Sequence, residues 1–135
     1  MTAIASSKTL LGRTLLLDSV ITGATGALMF LGAAPLAELL GLHERLLRVA
    51  GFSLLPFAAL VLFLAVRPRV PRPLIGAIVA VNVMWAVDSL LLLTTDWVAP
   101  TALGYAFTVF QAVVVAGFAC MQYVGMRGSG RAVAA

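Results

Sequence analysis

The stretch 15-LLLDSVITGATG-26 decides how this chain is read. Its flanks are apolar on both sides, yet it carries a carboxylate, Asp18, followed by Ser19, Thr22, Gly23, Thr25 and Gly26. An acid inside a soluble helix needs no explanation. Here the rest of the chain supplies the context: 62% of its 135 residues are hydrophobic and only 10% are charged. A soluble domain carries about 25% charged residues. So few charges cannot cover a water-facing surface, whereas a bilayer lets apolar side chains point outward.

Crossing a hydrocarbon core of about 30 Å takes roughly 20 helical residues. Four runs satisfy this: residues 14–34 with Asp18 as their one charge, 46–66 with Arg48 near the start, 74–95 with Asp88, and 101–126 with none. Backbone in lipid must satisfy its own hydrogen bonds, which leaves helices or a closed barrel. Barrel strands of about 10 residues would alternate and turn often, and these runs do neither. The expectation is an all-α polytopic membrane protein, an up-down bundle of four transmembrane helices. Residues 1–13 form a leading segment, 14–126 the transmembrane domain, and 127–135 a flexible tail. A cleaved signal peptide is disfavoured, because Asp18 interrupts a run that is already too long for one.

The charges suggest an orientation. Lys8, Arg13, Arg67, Arg69, Arg72, Arg127 and Arg131 fall on one side of four crossings, against Arg45 and Arg48 on the other. Excess Lys and Arg mark cytoplasmic loops, so both termini are expected in the cytoplasm. The net charge of +4 then reports topology and contact with lipid headgroups rather than nucleic acid. The hairpin 67-RPRVPRP-73 is stiffened by its prolines. On the other side, leucines 36, 39, 40 and 47 recur at helical spacing among Glu38, His43, Glu44 and Arg45, as in a short helix lying in the interface. Trp97 is expected at headgroup depth. If Pro35 only kinked the first helix, the span would shift to residues 19–41 and Asp18 would become a surface cap. That register would bury Glu38, so the first is preferred.

Polar residues at membrane depth face the bundle interior and find partners. With a rise of about 1.5 Å per residue, Asp18 passes near Gln122 and Tyr123, with Arg13 and Arg67 within reach. Asp88 lies near Arg48, Tyr105 and Thr108, which predicts an Asp88–Arg48 pair. Asn82 and Gln111 share mid-membrane depth and are expected to pair. Asn82, Trp85 and Ser89 lie on one stripe of the third span, with Asp88 beside it. Ser19, Thr22, Gly23 and Gly26 give small-residue spacings that allow close helix approach. The candidate polar sites are therefore Asp18, Arg48, Asn82, Trp85, Asp88, Gln111 and Gln122.

Other chemistries find little support. His43 is the only histidine, which excludes a bis-histidine haem within one chain. His43, Glu38 and Glu44 do not share one helix face, and the methionines follow no ligand spacing. No phosphate loop or nucleophile–base pair occurs, so neither cofactor nor catalysis is expected. Cys120 is expected to fill core space.

The segments LLLDSVITGATG, PLAELLGL, VNVMWAVDS and APTALG, with the pair Gln111-Ala112, resemble a set of small four-helix bacterial integral membrane proteins that have no assigned activity. That resemblance implies a bacterial inner membrane and a compact four-helix unit. In size, helix count and an acid in the first helix, the chain is also similar to small multidrug transporters. Their dual-topology members need weak charge bias, unlike this chain. The leading expectation is a non-catalytic bundle that is an accessory subunit of a larger membrane complex or associates with itself. A small proton- or cation-coupled transporter using Asp18 and Asp88 is the alternative, and a lipid-binding protein with a lateral apolar slot the third.

Overall fold

The computed structural model describes the backbone of residues 2–134 and the side chains of residues 10–128. Five helices follow in order: α1 (Thr2–Leu31), α2 (Ala33–Leu40), α3 (Glu44–Ala65), α4 (Arg72–Leu92) and α5 (Ala102–Ala134). Four of them hold stretches long and apolar enough to cross a membrane: Leu10–Leu31, Glu44–Ala65, Arg72–Leu92 and Ala102–Gly128. The protein is an all-α, multi-pass membrane bundle with one short helix between its first two spans.

The first apolar stretch, Leu10–Leu31, lies within α1, whose backbone runs from Thr2. Leu10 and Leu11 extend the apolar run, and Arg13 is exposed, so its long stem can carry the charge back towards the interface. α1 stops at Leu31, and Pro35 falls in the first turn of α2, where its missing N–H costs little. The short helix ends earlier than its leucine spacing implied, because Gly41 turns the chain with φ 69° and Leu47 belongs to α3.

Glycine is required at that turn for two reasons. The left-handed conformation suits it, and an added Cβ would stand 2.7 Å from the Ala99 carbonyl oxygen. The carbonyls that end α2 would otherwise be orphaned. Thr101 satisfies them, its N–H donating to Leu40 O (3.0 Å) and its hydroxyl to Leu39 O (2.8 Å). His43 Nε2 lies 2.7 Å from the Trp97 carbonyl oxygen. The two links at this end are thus bonded to each other, with Trp97 itself 75% exposed.

α1 packs along both α3 and α5, and α4 packs along α5. The small-residue face of α1 meets α3 at Gly26 and Gly51: a Cβ on either would sit 2.9 Å or 2.7 Å from the other's carbonyl oxygen. One apolar cluster, including Leu15, Val61, Leu64, Ile75 and Ile78, closes the end at the α3–α4 hairpin. A second, including Met29, Ala33, Leu40, Leu47 and Val98, closes the opposite end. Between them large apolar side chains such as Phe52, Val83 and Val124 point outward, as a lipid-facing surface requires. Cys120 is also exposed, correcting the expectation that it fills the core. In lipid an apolar thiol gains nothing from burial. At the hairpin end, Arg67 stacks over the Phe63 ring at 4.5 Å and Arg127 over the Tyr123 ring at 5.6 Å.

Candidate functional site

Asp18 is completely buried. One turn further along α1, the Thr22 hydroxyl donates to Asp18 Oδ1 at 2.8 Å. Two amides donate to Oδ2, Asn82 Nδ2 from α4 at 2.9 Å and Gln122 Nε2 from α5 at 2.6 Å. Asn82 Nδ2 also donates to Gln122 Oε1 at 3.0 Å, so the two amides and the carboxylate close a ring. Among the described residues, α1 and α4 share no extended backbone packing. The Asn82–Asp18 bond ties α1 to α4, which also share the apolar cluster of Leu15, Ile75 and Ile78 at the hairpin end.

A charged side chain at the centre of a span costs about 2.5–3.5 kcal/mol on insertion scales. A hydrogen bond to a charged group contributes about 1.5–3 kcal/mol, so three donors outweigh the cost of placing the acid there. All three are neutral. Neither Arg13 nor Arg67 provides a counter-charge: both are exposed, and Arg67 lies on Phe63.

The expected partner Gln122 is present. Asn82, however, does not pair with Gln111. Counting depth along the sequence put Asp18 near the span's edge, whereas its bond to Asn82 sets the two side chains level. Gln111 instead accepts from Trp85 Nε1 at 2.8 Å and donates to the Thr108 carbonyl at 3.0 Å. The expected Asp88–Arg48 pair is also absent. Arg48 Nη2 bonds to Glu44 Oε1 at 2.7 Å, one turn away on its own helix, with both side chains about half exposed (52% and 48%). Depth arithmetic matched Arg48 to Asp88, but the two helices do not turn these side chains towards each other. Asp88 is exposed; Tyr105, placed near it by depth, is also exposed, whereas Thr108 is buried.

Next to the polar ring lies a chamber of about 350 Å³ that all four spans line. Its walls are mostly apolar and aromatic, with Leu54, Phe57, Phe107, Val114 and Phe118 among them, and Thr22, Thr25, Ser53, Asn82, Trp85 and Gln111 supply the polar atoms. A second cavity of about 280 Å³, bordered by Met29, Leu42, Asp88, Ser89 and Thr108, shares Trp85, Phe107 and Gln111 with the first. The Trp85–Gln111 bond thus stands between the two spaces. Three residues of the first chamber, Ile21, Val81 and Phe110, are 42%, 38% and 71% exposed. All three lie well inside their spans, so the chamber opens sideways at membrane depth. Sequence reasoning found its polar lining at Asn82, Trp85 and Gln111 but not Thr25, Ser53 or the aromatic wall. Individually those residues look like ordinary lipid-facing or packing positions.

Among the described residues no group of three His, Cys, Asp or Glu side chains could hold a metal. Compared with known proteins, the chain matches no family model, no curated sequence and no solved structure.

Proposed function

We propose that this protein is a non-catalytic membrane bundle that takes a small, mostly apolar molecule from the bilayer into its central chamber. The observation that carries the reading is the side-opening chamber of about 350 Å³. Ligand sites are typically concave, apolar and about 300–1,000 Å³, with a few converging polar groups, and this one fits that description. A mouth at the depth of the spans favours an occupant already dissolved in lipid. In the same proposal, the hairpin 67–73 and both termini face the cytoplasm of a bacterial inner membrane, in keeping with the arginine distribution.

The proton- or cation-coupled reading would need a route to Asp18, whose side chain is fully enclosed. Asp88 lies near the end of its span, exposed at the border of the smaller cavity, where a carboxylate costs little. An accessory or self-associating role draws no separate support from the exposed apolar surface, since lipid alone accounts for it.

The chain holds two tryptophans, so a Trp97→Phe background leaves Trp85 as the reporter inside the chamber. In lipid nanodiscs, bromododecane should quench Trp85 in a saturable manner. Filling the chamber with Val114→Phe should remove the saturable component. Quenching that rises linearly and equally in both proteins would overturn the reading.

A further inference from the structure

Asn82 is 3% exposed, and both N–H groups of its amide are committed, one to Asp18 Oδ2 and one to Gln122 Oε1. Those two acceptors fix which way the amide faces, because a flipped group would set oxygen against oxygen. Its Oδ1 is left without a donor among the described residues. Buried amide oxygens are normally bonded, and each exception calls for a partner. Asn82 lines the chamber. So does Thr25, one turn beyond Thr22 on α1, whose hydroxyl also has no partner among the described residues. The remaining polar groups are occupied: Ser53 donates to the Val49 carbonyl at 2.9 Å, and Trp85 and Gln111 bond to each other.

We infer that the chamber recognises a hydroxyl group on an apolar chain, that is, a lipid-soluble alcohol. The ligand hydroxyl donates to Asn82 Oδ1 and accepts from Thr25 Oγ1, while its hydrocarbon part lies along Phe57, Val114 and Phe118. Taking about 30 Å³ per non-hydrogen atom, the share of one water in the liquid, the chamber holds about a dozen such atoms. Asp18 and Gln122 act as positioning residues, since they hold the Asn82 amide with its oxygen free. This inference rests on the reading of the chamber as a ligand site and specifies its chemistry.

The test compares two isomers of equal size, dodecanol and undecyl methyl ether, as competitors of bromododecane in the Trp97→Phe protein. One neutral hydrogen bond is worth about 0.5–1.5 kcal/mol, so the alcohol should displace the probe about three- to tenfold more effectively than the ether. Thr25→Val, which leaves the Asp18 ring untouched, should weaken displacement by both isomers, since either oxygen can accept from the Thr25 hydroxyl, and should keep the preference. Asn82→Leu should abolish it while the ether still competes. Equal displacement by the two isomers in the parent protein would overturn the alcohol assignment and leave the chamber standing. Absence of any saturable quenching would remove the chamber reading and this inference together. If Asn82→Leu fails to fold, the Thr25→Val comparison and the isomer pair still decide.

Discussion

Replacing Asp18 by leucine would leave the amide hydrogens of Asn82 and Gln122 facing an apolar side chain. Each unpaired buried donor costs about 1–3 kcal/mol, so Asp18→Leu should destabilise the bundle by about 2–6 kcal/mol, read by titration with sodium dodecyl sulfate. Asp18→Asn keeps one oxygen for those donors and should cost less. An equal loss in the two variants would mean that the carboxylate's hydrogen bonds are not what holds α1 to α4. Arg48 offers a contrast on the same scale. Its contact with Glu44 is half exposed and lies within one helix, and such pairs contribute about 0.3–0.5 kcal/mol. Arg48→Ala should therefore leave the midpoint nearly unchanged. What separates the two residues is enclosure, since both carry a charge near or within a span.

At the scale of elements, the α1–α3 contact depends on backbones that touch at Gly26 and Gly51. A leucine at position 51 would have to push the helices apart, and overpacking of this kind costs about 1–3 kcal/mol. Gly76 on α4 has nothing within 4 Å of an added Cβ, so Gly76→Leu should be close to neutral in the same titration. Equal effects would show that helix propensity, rather than close approach, sets the cost. The same contrast explains what could be read from the sequence. Four spans and the small-residue face of α1 were legible because apolar length and i, i+4 spacing are local properties. Gln122 was legible as a partner of Asp18 because antiparallel helices of a bundle meet at calculable depth. The sequence pairs Asn82 with Gln111 because equal depth alone does not reveal that Asp18 and Gln122 also turn towards Asn82. Arg48 was assigned to Asp88 because depth says nothing about how each helix is rotated. The chamber left no local signature, since it is the space that four faces fail to fill.

For the whole molecule, the open question of consequence is which end meets the cytoplasm. Both termini and the 67–73 hairpin lie at one end of four crossings, and the links 32–43 and 93–101 at the other. The first end carries Lys8, Arg13, Arg67, Arg69, Arg72, Arg127 and Arg131, the second only Arg45 and Arg48. A bias of this size in short loops is the basis for proposing one insertion direction. In the proposed orientation, the bonds between the two outer links, Thr101 to Leu39 and Leu40 and His43 to Trp97, would form on the far side of the membrane after all four helices have inserted. In a Cys120→Ser background, a cysteine at Asp96 should react with a membrane-impermeant maleimide in intact cells. A cysteine at Pro68 should react only once the cells are made permeable. Both positions are exposed, so access to reagent rather than burial governs labelling. The reverse pattern would place the arginine hairpin outside, and equal labelling of both sites in intact cells would mean that the chain inserts in two directions, as the dual-topology transporters do.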